Sequence, residues 1–320
     1  MTENIKILVL KLFDRFDEHI FARLLLLHYN LDRCGGPYFD GAGGPTGFTG
    51  LHGVAFLGIG GIIPTVLEMK EWGVNGYNHM GMTALTWAST KGHEEVVKTL
   101  LERESVNPDQ ADSKWGSTPL SWAAENGHEG IAKILLQRED VNPDQADTIS
   151  DRTPLSCAVG GGHERIVKML LERGDVNPNQ ADTRYGQTPL LCAAKSGNEG
   201  IVKILLERED TNPNQADTIS GRTPLSWAAE KGNEGIAKMI LERGDVNPKQ
   251  ADTTYGRTPL SWAAENGHEG IVKMLLERQS QPCRHHIWPD TILVGGWGRA
   301  SKDSKYHSGA ERCPHGNTRL

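Results

Sequence analysis

A chain of 320 residues would ordinarily hold two or three domains, and its formal net charge of -7, carried by locally alternating Lys and Glu with no basic run, argues against a nucleic-acid or anionic-membrane surface. Its longest apolar stretches, Ile5 to Phe13 and Ala22 to Leu27, are too short and too interrupted by Lys6, Lys11 and Arg23 to cross a bilayer, and no small-residue cleavage site follows them. The cysteines Cys34, Cys157, Cys192, Cys283 and Cys313 are odd in number and scattered, with no Cys-x-x-Cys, which points to a reducing intracellular compartment, cytoplasmic or nuclear.

In chain order, Ile5, Leu8, Leu12, Phe16, Ile20, Leu24 and Leu27 recur at helical spacing, so residues 1–33 are predicted to form a helical N-terminal cap rather than an effector helix. Residues 34–48 are a Gly/Pro-rich linker. Neither its glycines nor Gly58-Ile-Gly60-Gly61 follow the order of a phosphate-binding loop, so no nucleotide or other cofactor is expected.

From there the chain is periodic. The stretch 118–152 begins again as a near copy at Thr153, Thr188, Thr223 and Thr258, a period of 35 residues, with a looser copy at Thr83 and a weaker one from Thr49. Thr-Pro-Leu opens a helix, because Pro in the first turn loses no hydrogen bond and Thr can accept from the free amides beyond it. Ala123-Ala124 permit close helix approach, and Gly127 ends the helix where a left-handed residue costs least. A second helix starts at Glu129, with Ile131, Ala132, Ile134 and Leu135 on one face and Lys133, Gln137 and Arg138 on the other. Neither helix can bury its apolar face alone, so successive units must stack, which is the logic of a solenoid.

Thr118-Pro119-Leu120, Ala123-Ala124, Gly127-His128, Leu135-Leu136 and Val141-Asn142 resemble the ankyrin repeat. The resemblance implies an all-α fold, an ankyrin-repeat solenoid of helix-turn-helix units with hairpin fingers. Seven repeats then occupy residues 49–278, divided as 49–82, 83–117, 118–152, 153–187, 188–222, 223–257 and an incomplete 258–278. The copies VNPDQADT and GRTPLSWAAE are most similar to the arrays of fungal signalling proteins of the NACHT type or of co-regulators. Two departures stand out: Ser121, Ser156, Ser226 and Ser261 replace the usual His, and the unit is two residues longer than the usual 33. The extra length falls in the Asn-Pro-Asp-Gln-Ala-Asp connector and predicts longer fingers on an unchanged helical stack.

His93, His128, His163 and His268 share one register position, but copies about 10 Å apart cannot share a zinc; the resemblance makes this His a structural residue of the inter-helix turn. Trp87, Trp122, Trp227 and Trp262 alternate with Cys157 and Cys192 at a packing position. No Ser-His-Asp, paired-carboxylate or Cys-His set emerges, so the chain is not expected to be an enzyme.

Residues 279–320 abandon the period and are predicted to be a disordered tail. Cys283, His285, His286, Cys313 and His315 match no standard zinc spacing. A codon assignment for residues 283–297, read one base on, spells Ala-Asp-Thr-Ile-Tyr-Gly-Arg-Thr-Pro-Phe-Ser-Trp-Ala-Ala, so the tail reads as an eighth repeat out of frame. The last in-frame unit would then lack a cover and favour self-association.

The family resemblance implies a protein partner gripped by finger tips and inner helices on a concave face, without direct nucleic-acid or membrane contact. Carried over unit by unit, the contact residues are Lys114, Trp115, Arg152, Arg184, Tyr185, Gln187, Arg222, Tyr255 and Arg257, of types enriched at interface hot spots. The function expected is a non-catalytic interaction scaffold, with a nuclear transcription co-regulator as the alternative.

Overall fold

The computed structural model describes residues 50–69, 73–78 and 80–280, apart from the side chains of Glu68, Met69 and Gln279. The predicted cap at 1–33, the linker at 34–48 and the tail beyond Ser280 lie outside these residues.

Among the described residues there are fourteen α-helices, one 3-10 turn at Gly60–Ile62 and no strand. The helices come in pairs: α1 (Gly50–Leu57) with α2 (Ile63–Met69), α3 (Ala84–Lys91) with α4 (Glu94–Leu101), and α5 (Pro119–Glu125) with α6 (Glu129–Leu136). Then follow α7 (Pro154–Gly161) with α8 (Glu164–Glu172), α9 (Pro189–Ser196) with α10 (Glu199–Leu206), α11 (Pro224–Lys231) with α12 (Glu234–Glu242), and α13 (Pro259–Glu265) with α14 (Glu269–Ser280). Each odd-numbered helix packs on the even-numbered helix of its own pair and on the odd-numbered helices before and after it, and the even-numbered helices form a second row in the same way.

The local chemistry is the predicted one. Thr118 Oγ1 accepts from the Ser121 amide at 3.1 Å, and Thr153, Thr188, Thr223 and Thr258 do the same for α7, α9, α11 and α13. Ser121 Oγ lies 3.0 Å from Thr118 Oγ1, so the Ser that replaces the usual His stays within the cap. One apolar core runs through the stack, with Leu120, Ile131, Leu135, Leu155, Ile166, Leu170 and Leu190 fully buried. Each such side chain contributes about 1.5–3 kcal/mol by leaving water.

Polar contacts tie each unit to the next. His128 Nε2 donates to the Thr90 carbonyl at 3.0 Å, and His93, His163 and His268 reach back in the same way to Phe56, Glu125 and Glu230. Each ring thus bonds an end carbonyl of the preceding first helix, a group that a helix leaves unpaired. Gly127 has φ +75, and a Cβ there would lie 2.5 Å from His163 Cε1, so this position needs glycine both for backbone and for space. Arg138 forks onto the Asp140 carboxylate at 2.9 and 2.8 Å while also donating to the Leu101 carbonyl of the preceding unit at 3.2 Å. Arg173, Arg208 and Arg243 repeat the clasp.

The connector carries a ladder of its own, in which Asp109 Oδ2 accepts from the Asn142 amide at 2.8 Å and Asn179 Oδ1 from the Asn212 amide at 2.7 Å. Within the connector Asn107 Oδ1 accepts from the Asp109 amide at 3.0 Å, a local turn that precedes the finger.

Candidate protein-binding face

From residue 112 onward each finger is a six-residue turn built on one carboxylate. In the finger 112–117, Asp112 Oδ1 accepts from the amides of Lys114 and Trp115 at 3.0 and 2.6 Å, and Oδ2 accepts from the Ser117 amide and the Trp122 indole at 3.0 and 3.1 Å. Asp147, Asp182, Asp217 and Asp252 take the same place and are buried. Burial pushes the Asp252 carboxyl up, but the Tyr255 and Thr254 amides, the Trp262 indole and the Arg222 charge outweigh it and hold the group below the usual carboxylate range. Fingers are also bonded to each other, with the Thr148 amide on the Trp115 carbonyl at 3.0 Å and the Thr218 amide on the Tyr185 carbonyl at 3.0 Å. The tips therefore sit on fixed bases.

The residues expected to contact a partner fall into two groups. Lys114, Arg184, Tyr185 and Tyr255 are exposed at the tips. Trp115 is half-buried, edge-on to Trp122 with ring centroids 5.6 Å apart and with Lys114 Nζ 4.5 Å above its ring. Tyr255 stands edge-on to Trp262 at 6.4 Å. The second group lies deeper, against the odd-numbered helices. Arg222 sits between two indoles, 4.8 Å from the Trp227 and 3.8 Å from the Trp262 ring centre, and pairs with Glu230 at 2.7 Å. Arg257 is over Trp262 and pairs with Glu265 at 2.5 Å. Arg152 pairs with Glu125 at 3.6 Å, and Gln187 accepts from the Cys192 thiol at 3.5 Å.

The period places Ile149 and Ile219 at the finger tips as well, and they are 65% and 68% exposed, although the contact set named above favours aromatic and charged side chains. Sequence reasoning missed the finger carboxylates, although Asp112, Asp147, Asp182, Asp217 and Asp252 recur at the full period and could have been read as turn-forming. Among the described residues no group of three or more His, Cys, Asp and Glu could hold a metal ion, and no helix is long and apolar enough to cross a membrane.

The geometry defines a class: a solenoid of helix pairs that presents a row of fixed fingers and an aromatic inner face. The family is shown directly, since a model described as ankyrin repeats in three copies matches residues 51–147, 139–217 and 209–285, and the chain belongs to the ankyrin-repeat family. Among solved structures it is similar to the ankyrin repeat domain of Bcl-3, described as a unique member of the IkappaB protein family, with 22% identity, a TM-score of 0.62, and coverage of 71% of this chain and 99% of that one. At that identity the likeness shows the fold alone. No curated protein matches the chain.

Proposed function

We propose that the chain is a non-catalytic scaffold that binds a protein partner through its fingers and odd-numbered helices. The observation that carries this reading is the row of exposed apolar tips, Ile149, Tyr185 (43% exposed), Ile219 and Tyr255 (66%), held on fingers whose backbones are fixed by buried carboxylates. Large side chains kept in water on a rigid base are the signature of a contact surface rather than of a core. In this reading the binding surface is built from the repeats 49–82, 83–117, 118–152, 153–187, 188–222, 223–257 and 258–278, and the arm is an intracellular one, akin to those of fungal signalling proteins. A secondary contact is self-association through the last unit, where Leu276 is exposed while Leu241, one period earlier, is buried.

The test is affinity capture with the full chain. Changing Trp115, Tyr185 and Tyr255 together to Ala should weaken capture by about 2 kcal/mol or more, while the loss of the Trp115–Trp122 and Tyr255–Trp262 edge contacts lowers the thermal midpoint modestly without loss of the helical signal. Changing Lys133, Lys203 and Lys273 on the even-numbered helices should do little. Capture that survives the aromatic changes and fails with the lysine changes refutes this face.

A further inference from the structure

Asn-Gly occurs three times in the chain, at Asn75-Gly76, Asn126-Gly127 and Asn266-Gly267. The pair is open to a spontaneous reaction, because glycine has no side chain to shield its own amide nitrogen. That nitrogen, once it has given its proton to water, attacks the asparagine Cγ; a five-membered succinimide closes and Nδ2 leaves as ammonia. Water then adds to one of the two ring carbonyls and opens the ring to aspartate or to isoaspartate, in which the main chain runs through the former side chain.

Two of the three sites are an internal control. Residues 118–131 and 258–271 are identical in sequence, and their local structure is the same. Asn126 and Asn266 cap α5 and α13 with φ -93, ψ 0 and φ -91, ψ 3. Each turns its carboxamide back on the helix, Nδ2 donating to the Trp122 carbonyl at 2.8 Å and to the Trp262 carbonyl at 2.9 Å, and both residues are exposed to water. With the carboxamide held there the ring cannot close, so reaction waits for the cap to open. What differs is the cover. The His163 ring lies on Gly127, where a Cβ would be 2.5 Å from Cε1, and its Nε2 donates to the Glu125 carbonyl at 3.1 Å. Ser121 and Ala124 are 1% and 0% exposed. A Cβ on Gly267 would meet nothing within 4 Å, and Ser261 and Ala264, in the same places, are exposed. Asn75 is held by the unit that follows it, with Nδ2 donating to the Ser105 carbonyl at 2.7 Å and Oδ1 accepting from the Asn107 amide at 2.9 Å.

We propose that Asn266-Gly267 is a modification site at which the folded protein converts asparagine to aspartate and isoaspartate through the succinimide, and that the His163 contact keeps the identical Asn126-Gly127 site closed. The inference is independent of the scaffold reading. Its product is not silent. Conversion removes the Nδ2 donor from the Trp262 carbonyl and sets a carboxylate at the C-terminal end of α13, where the helix dipole disfavours negative charge. Isoaspartate also adds a carbon to the main chain at the cap. The last unit is therefore loosened after conversion, while the units before it are untouched.

The experiment is incubation of the full chain at mildly alkaline pH, tryptic digestion, and mass spectrometry of the amide-to-acid conversion against time. Cleavage after Lys114 and Lys133, and after Arg257 and Lys273, puts the two identical sites on peptides of different mass. Asn266 should convert roughly tenfold or more faster than Asn126, a ratio that corresponds to about 1.4 kcal/mol between the two opening equilibria. In urea the two sites, with the same neighbours, should convert at one rate. His163→Asn, a residue that the array already carries at Asn198 and Asn233, should bring Asn126 to within severalfold of Asn266 and leave Asn75 unchanged. Should the variant unfold, Asn75 would accelerate as well, and the ratio in the unaltered chain decides. Equal rates at Asn126 and Asn266 in the folded chain, faster conversion at Asn126, or an Asn126 rate that folded His163→Asn does not raise would each overturn the proposal.

Discussion

Asn78 anchors its finger as the aspartates anchor theirs, accepting from the Met80 and Met82 amides at 3.0 and 2.9 Å, but its second polar atom is a donor. In later units that place is a carboxylate oxygen that takes the indole N–H of Trp122, Trp227 or Trp262. Asn78 Nδ2 and Trp87 Nε1 are correspondingly both buried without a partner. Asn78→Asp should therefore stabilise the array by about 1 kcal/mol, read as a shift of the urea midpoint; no shift would mean that the two orphans are not one missing bond. The connector poses the converse case. Asn179 and Asn214 donate through Nδ2 to the carbonyls of Asp210 and Asp245 at 2.7 Å, whereas Asp109 and Asp144 at the same register leave Oδ1 buried and unpaired. Burial pushes both carboxyls up, against the pull of the Asn142 and Asn177 amides. A folded pKa above the unfolded one means that the folded state binds the proton more tightly, so this penalty is full at neutral pH and fades as pH falls. Asp109→Asn and Asp144→Asn should each add about 1 kcal/mol at neutral pH and progressively less in acid. Asp140, Asp175, Asp210 and Asp245 run the other way, held low by hydrogen bonds from Arg138, Arg173, Arg208 and Arg243. Their small, solvent-screened contributions are present above the ordinary carboxylate range and lost as pH falls through the lowered values, so the stability of the clasp itself should fall off below about pH 4.

At the scale of the helix pair, the turn glycines separate two effects that the sequence shows as one. Gly127 and Gly267 have nearly the same φ, +75 and +73, but a Cβ on Gly127 would strike the His163 ring, while one on Gly267 would meet nothing within 4 Å. Gly267→Ala should cost only the left-handed backbone, about 1–2 kcal/mol, and Gly127→Ala should cost at least about 1 kcal/mol more through the displaced ring. Equal losses in chemical denaturation would show that the histidine rings contribute no fit between units. The pairs themselves were legible because cap, apolar stripe and glycine all lie within one period, where spacing along the chain maps directly to a helix face. The ladders were not. In the sequence Arg138 reads as a solvated residue on the polar side of the second helix; it lies just beyond α6, and the Leu101 carbonyl it bonds is 37 residues away. In a chain that repeats every 35 residues, every such partner sits near the same register, and periodicity cannot say which polar atoms meet. The contact residues were legible in part for the same reason: the tip positions follow from the period, but whether an Arg there stays in water, like Arg184, or lies between two indoles, like Arg222, depends on the neighbouring unit.

For the whole array, stability is close to a sum of units and their interfaces. Removing residues 153–187 should lower the unfolding midpoint and keep the helical signal, because the preceding and following units present the same cap and core to one another; loss of the helical signal would contradict the additive solenoid. The most direct test of the binding face is a hydrogen-exchange footprint of the captured complex against the free chain. New protection should appear on the finger amides of residues 113–117, 148–152, 183–187 and 218–222 and leave exchange unchanged around Lys133, Lys203 and Lys273. Protection centred on those lysines, with the fingers exchanging as in the free chain, would contradict the account.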